Sequence, residues 1–326
     1  MYLDVPVRDG QIVKRRVPIG EFADGGEVSL PVVTIGGARP GPTIYLQAGI
    51  HGDELTGIAI CREALTGLDP ATIAGTVVAI PVANVPSYLT RTRGFLHEER
   101  WLIDLNRIFP GNAHGLLTER ISSVLFNEFA THADLTIDLH SALAGCDIAP
   151  FVYIDPDDDE QGTFEIRERC GLAFGTPYAY YKRRGLKLGT SDVSRSFGAQ
   201  AEDRGIATIA AEMGESRRVS WERVPLGAQG VRNVMIAMGM LDEAPVVSGE
   251  ARRFNTITLV HAERGGGLRL SVDLGDEVLA GQFIGEVVDV FGETIERLEA
   301  STDGFILRAM RYGSLATGAE VVWIAA

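Results

Sequence analysis

Between residues 43 and 241 the chain switches repeatedly from a short apolar run to a longer stretch with apolar residues at helical spacing. The runs are 43–48, 77–82, 135–139 and 207–211, and the helix-like stretches include 53–65, 118–130 and 228–241. A run of five or six apolar residues has the length of a strand buried on both faces, and an intervening helix returns the chain so that the next strand lies parallel. The alternation therefore predicts an α/β domain built on a mixed, mostly parallel sheet flanked by helices. Before it, Val13, Val17, Val28, Leu30, Val32 and Val33 read as short strands leading in. After Ala244-Pro245 the texture changes. From Arg253 onward, glycines such as Gly275, Gly281, Gly292, Gly304 and Gly313 separate short apolar strands, which predicts a smaller all-β domain. The expected organisation is residues 1–245 as one domain with its β lead-in and 246–326 as a second.

Chemistry collects where the apolar runs end. His51 and Glu54 follow the first run at a strand-to-helix turn, where side chains three positions apart converge and Gly49 and Gly52 allow close backbone approach. His140 follows the run 135–139, in the motif Asp138-Leu139-His140-Ser141, and would project from a neighbouring strand end. Alone, Glu54 could simply favour the positive end of a helix dipole. Taken together, two His and one Glu with a fourth position left for water match a catalytic zinc site, one Zn2+ per chain, rather than a closed structural one. Amide hydrolysis also needs a group to take and return a proton. Glu212 is the candidate because it follows the run 207–211 and would be partly desolvated; Glu215, further into the loop, is its rival. Asn106-Arg107 supplies a planar fork and a neutral donor suited to a substrate carboxylate. Arg100 could polarise the scissile carbonyl, with Arg91 and Arg93 as competitors.

The excess of 44 acidic over 30 basic residues gives a net charge of -14, which argues against nucleic acid and against an anionic membrane surface. No apolar run nears the roughly 18 residues of a membrane span, and the first ten residues carry Asp4, Arg8 and Asp9 without an apolar leader core. Cys61, Cys146 and Cys170 form no CxxC pair and argue against a disulfide framework or a thiolate metal site. The expectation is a cytoplasmic protein acting on a small molecule, with a homo-oligomer left open. The acidic stretch at 155–160 reads as a solvated turn.

His51-Gly52-Asp53-Glu54, Asp104-Leu105-Asn106-Arg107, Asp138-Leu139-His140-Ser141 and Ala211-Glu212-Met213-Gly214, in that order, resemble the succinylglutamate desuccinylase and aspartoacylase family, a branch of the zinc carboxypeptidase fold. The resemblance covers about residues 28 to 245. It implies zinc held by His51, Glu54 and His140, Glu212 as general base and acid, Asn106 and Arg107 on the substrate carboxylate, and Arg100 as carbonyl polariser. It also implies a Tyr from the C-terminal domain at the site, for which Tyr312 is the nearest match. That domain resembles the family's β-barrel appendage and, in texture, the barrel-sandwich of biotinyl or lipoyl carriers. The chain's lysines are Lys14, Lys182 and Lys187, so no carrier lysine stands at a hairpin tip there, and a wall or lid over the entrance is expected instead. The implied activity is a zinc-dependent amidohydrolase acting on a small N-acyl amino acid. A metallocarboxypeptidase acting on peptides and a non-catalytic binding protein on the same fold are the alternatives.

Overall fold

The computed structural model describes residues 7, 9–96, 104–156, 162–181 and 193–326. Among the described residues ten strands precede residue 255: β1 (Gln11–Glu21), β2 (Glu27–Gly36), β3 (Arg39–Ala48), β4 (Ala74–Ile80), β5 (Leu135–His140), β6 (Cys146–Ile148), β7 (Phe151–Ile154), β8 (Tyr178–Tyr181), β9 (Ala207–Glu212) and β10 (Arg252–Phe254). All but β6 join one nine-stranded sheet in the order β1-β2-β4-β3-β5-β9-β7-β8-β10. The central strands β4, β3, β5 and β9 are parallel, and antiparallel pairs occur at β1/β2, β2/β4 and β9/β7. The sheet is therefore mixed and mostly parallel, as the alternation of runs and helices predicts.

Side-chain alternation sorts the core into two layers. Ile44, Leu46 and Ala48 of β3 and Val77 and Ala79 of β4 pack on one face, against α1 (Leu55–Leu65), which carries Cys61, and against later helices. Tyr45, Val78 and Ile80 point to the other face, toward Phe126, Phe129 and Phe197. The remaining helices are α2 (Val85–Thr90), α3 (Leu117–Ser123), α4 (Phe164–Phe174), α5 (Phe197–Glu202) and α6 (Val224–Ala237). Because helices cover both faces, all six residues of β5 are buried, the polar Thr136, Asp138 and His140 as well as Leu135, Ile137 and Leu139. Among the described residues no helix is long and apolar enough to cross a membrane.

Two details differ from the expectation. The lead-in is not a set of short strands but a long antiparallel pair, β1 of 11 residues and β2 of 10. β1 is an edge strand in which only Val17 is buried, so it leaves almost no hydrophobic pattern. The helix expected over 118–130 is α3 followed by a π-helical turn at Val124–Phe129 and a 3-10 turn at Ala130–His132.

Beyond β10 come β11 (Ile257–His261), β12 (Gly266–Leu270), β13 (Glu277–Val278), β14 (Phe283–Val288), β15 (Thr294–Glu299), β16 (Gly304–Met310), β17 (Ser314–Leu315) and β18 (Glu320–Ala325). They form two antiparallel sheets, β11-β18-β16-β13 and β15-β14-β12-β17, around Ile284, Val287, Ile306, Val322 and Ile324. Strands cross residue 245 in both directions. β10 lies parallel to β8 in the large sheet, and β6 pairs with β16, placing Ile148 opposite Arg308. An aromatic cluster seals the exchange: Phe254 stacks on Tyr180 with centroids 4.9 Å apart and meets Phe305 edge-on at 5.6 Å.

Because Phe254 is buried between the two sheets, Phe254→Ala should cost about 3–5 kcal/mol in denaturant unfolding. A loss below about 1 kcal/mol would show that the aromatic cluster does not couple the large sheet to the C-terminal one.

Candidate metal centre and substrate cavity

β3 ends at Ala48, and Gly49 turns the chain with φ +71 before the His51–Glu54 turn, which the Glu54 N–H closes by donating to the His51 carbonyl at 3.2 Å. Glu54 stands at the N-terminus of α1, but its carboxylate makes no capping bond. It turns instead to two imidazoles. Oε1 lies 2.6 Å from His51 Nδ1, and Oε2 lies 2.8 Å from His140 Nδ1 and accepts from the Ser141 N–H at 3.1 Å. His140 reaches it because β5 runs beside β3 in register, with Leu139 opposite Ala48. Gly52 makes the turn possible: a Cβ there would lie 2.0 Å from the Ser87 carbonyl carbon and 2.2 Å from the Tyr88 nitrogen, inside the α2 backbone.

The outer edges of both imidazoles are held by carboxylates. His51 Nε2 is 3.0 Å from Asp104 Oδ1, and His140 Nε2 is 2.9 Å from Asp138 Oδ2. A carboxylate on Nε2 fixes the proton there and leaves the Nδ1 lone pair facing inward, the arrangement that orients a histidine toward a metal. Burial alone would keep the imidazoles neutral, yet Glu54 and Asp104 raise the His51 pKa, and Asp138 and Glu54 raise that of His140 well above its usual range. Burial likewise opposes the charge on Glu54, but the two imidazoles hold it well below the usual carboxylate range. The field at this point favours positive charge. The ligand atoms of His51, Glu54 and His140 lie within 4.8 Å of one another, all three residues are buried, and the donor set of two Nδ1 atoms and one carboxylate fits zinc.

These residues open on a cavity of about 540 Å³, within the size range of small-ligand sites. Glu212 closes β9 directly opposite His140, and its Oε2 is buried without a hydrogen-bond partner among the described residues. Burial, reinforced by the charge of Glu54, pushes its pKa up to about 7 despite the opposing pull of His140, His51 and Arg93. Its rival Glu215 is paired with Arg218 and does not line the cavity.

Asn106 and Arg107 line the cavity on a 3-10 turn at Leu105–Arg107, whose N-terminus Asp104 caps by accepting from the Asn106 N–H at 2.9 Å. The Asn106 side-chain oxygen accepts from the Phe197 N–H at 2.8 Å, so donors are what its amide has left to offer a ligand. Arg107 donates to the Asn106 carbonyl and makes no ion pair among the described residues. Arg100 lies outside the described residues, as do 157–160 of the acidic stretch. Its competitor Arg93 is in the cavity wall, donating from Nε to Asp104 Oδ2 at 2.9 Å with Nη1 3.4 Å from Glu54 Oε1. Tyr312 does not line the cavity; it is 46% exposed and accepts from Arg217 at 3.2 Å. What the C-terminal sheet brings to the cavity is Arg308, Glu320 and Trp323, and β7 adds Tyr153. No local motif marks these four in the sequence. The first three lie on the sheet that β6 joins through β16, and Tyr153 is placed by β7 lying beside β9.

Comparison with known proteins bears on the same set. Residues 40–238, more than half of the chain, match the family described as the succinylglutamate desuccinylase/aspartoacylase catalytic domain. N-alpha-acetyl-L-2,4-diaminobutyric acid deacetylase from Halomonas elongata is 29% identical over 293 residues, covering 88% of this chain and 82% of that protein. The crystal structure of succinylglutamate desuccinylase/aspartoacylase from Rhodobacter sphaeroides superposes with a TM-score of 0.85 at 26% identity, covering 98% of this chain and 96% of that one. The product-bound ectoine utilization protein EutE (DoeB) from Ruegeria pomeroyi gives 0.87 at 23% identity, covering 99% and 97%, a likeness of fold.

Gly52→Ala should force α2 away from the His51–Glu54 turn. Overpacking of this kind costs about 1–3 kcal/mol, so the melting temperature should fall and less metal should be retained after purification. A melting temperature within about 2 °C of the parent, with full metal content, would contradict the close packing seen at Gly52.

Proposed function

The chain belongs to the succinylglutamate desuccinylase/aspartoacylase family, and from that premise we propose that it is a zinc-dependent deacylase that hydrolyses the amide of a small N-acyl amino acid. The observation that carries the proposal is Glu212: a buried carboxyl with one unpartnered oxygen and a pKa near 7, in the same cavity as the His51, Glu54 and His140 cluster. A carboxyl that titrates near neutral pH can both accept and release a proton at the working pH. Zinc held by His51, Glu54 and His140 would supply Lewis acidity, polarising the amide carbonyl and acidifying water.

The protein's own groups carry the other tasks. Arg107 and the amide donors of Asn106 hold the substrate carboxylate, which fixes the amide relative to Glu212. Glu212 Oε2 takes the proton from the attacking water and returns one to the leaving nitrogen. Arg93 offers a guanidinium for the negative charge developing on the carbonyl oxygen, the part read from the sequence for Arg100, which is proposed to share it. Asp155, Glu202 and Asp203 also line the cavity, Glu202 with Arg167 3.6 Å away. The likeness to a diaminobutyrate deacetylase makes an acetylated diamino acid the first substrate to test. Three buried, unpaired cysteines are in keeping with a cytoplasmic location.

The zinc-loaded protein should hydrolyse N-acetyl diamino acids in preference to dipeptides. Glu212→Gln keeps size and hydrogen bonding but cannot shuttle a proton, so kcat should fall by at least about 100-fold with zinc content unchanged. An unchanged kcat in that variant would remove Glu212 from the mechanism, and faster cleavage of dipeptides would point to a peptidase.

A further inference from the structure

Arg308 is 2% exposed and lines the same cavity as Glu212 and His140. Its guanidinium is clamped on two sides. The carbon at its centre lies 4.1 Å over the Trp323 ring, and Nη2 donates to Glu320 Oε2 at 2.6 Å, an oxygen that also accepts from Trp323 Nε1 at 2.9 Å. Nε and Nη1 are buried and have no hydrogen-bond partner among the described residues. The charge of this arginine is thus matched by Glu320, whereas its donors are not matched by acceptors. Arg107 is the reverse case, with no ion-pair partner among the described residues. Buried donors are almost always satisfied, and donors left unmet on a rigidly held group in a cavity wall are a place for an acceptor carried by a ligand.

We propose that Arg308 is a specificity-determining residue, donating from Nε and Nη1 to an uncharged oxygen of the ligand, a carbonyl or carboxamide oxygen, on a part of it other than the carboxylate held at Asn106 and Arg107. The oxygen is uncharged because Glu320 already neutralises the guanidinium. The two nitrogens are shielded from bulk water, so solvent does not compete for them. The inference rests on the reading of this cavity as the substrate site, and it adds a recognition point that the C-terminal sheet supplies.

Binding measurements on the zinc-loaded full chain test it without turnover. The probes are butyrate, succinamate and succinate, with their homologues longer by one and two methylenes. Each has one carboxylate for Arg107 and ends in a methyl, a carboxamide or a second carboxylate. At one chain length or more, the carboxamide should bind the wild type at least about 10-fold tighter than the methyl probe and no weaker than the dicarboxylate. In Arg308→Met, which keeps contact with Trp323, and in Arg308→Lys, which keeps a charge beside Glu320, that preference should shrink to within about twofold. The methyl probe is the reference within each protein, so a general change in anion binding cancels in the ratio. Arg308→Lys guards against misfolding of the other variant, with thermal melting as the check. No carboxamide preference at any length, a preference that survives in the folded variants, or tighter binding of the dicarboxylate would overturn the proposal. A chain that shows the Arg308-dependent preference but deacylates nothing would keep this inference and lose the deacylase reading.

Discussion

One buried carboxylate, Glu54, is shared between two imidazoles, and the rest of the site is arranged to make that sharing tolerable. An isolated buried charge is costly, and Glu54 is surrounded by further negative groups at Asp104 and Asp138, so the cluster is stable only where positive charge is concentrated between them. The fold meets that demand with a strand register that sets His140 beside the end of β3 and with a glycine that lets the His51–Glu54 turn lie against α2. Arg93 adds a partly exposed cation at the rim. Glu212, one strand beyond His140, makes no ion pair among the described residues, and burial raises its pKa against the pull of the same imidazoles that hold that of Glu54 down. Two carboxylates at strand ends on either side of β5 are pushed in opposite directions by their surroundings, the division of labour that acid–base chemistry beside a metal requires.

The central strands and the residues at their ends were legible in the sequence for a physical reason. Strands buried on both faces leave short, predominantly apolar runs, and polar residues that end such a run or follow it closely sit at the strand end, where α/β folds gather their ligands. His51, Glu54, His140 and Glu212 all belong to that class. β1 was not legible as a long strand because only one of its side chains is buried. The choice among Arg91, Arg93 and Arg100 could not be made from spacing, because a loop's inward arginine is selected by its partners; the partner of Arg93, Asp104, also braces His51. Tyr312 lies on the C-terminal part but does not line the cavity. The side chains that reach the cavity, Arg308, Glu320 and Trp323, sit on strands whose contact with the site depends on β6 lying beside β16, a pairing between distant segments that no local pattern records.

That pairing also changes what the C-terminal sheets are. Because β6 and β10 cross in opposite directions, the C-terminal part shares hydrogen bonds and an aromatic cluster with the large sheet and forms one wall of the cavity. On a chain of net charge -14 an anionic ligand is repelled at a distance, so recognition has to come from local arginines. The cavity holds such groups in two electrostatic states, Arg107 open to a counter-charge and Arg308 already neutralised, so one wall is suited to charge and the other to hydrogen bonding.

The most direct test of the Glu54-centred site is zinc titration of metal-stripped wild type and Glu54→Gln by calorimetry, with melting curves to show that both are folded. The wild type should bind one zinc per chain, and the variant, which keeps the shape but not the charge that both imidazoles face, should bind at least about 100-fold more weakly. Equal affinity and stoichiometry in the two proteins would show that the metal, if bound, is held elsewhere, and that the Glu54 cluster is a structural ion-pair network.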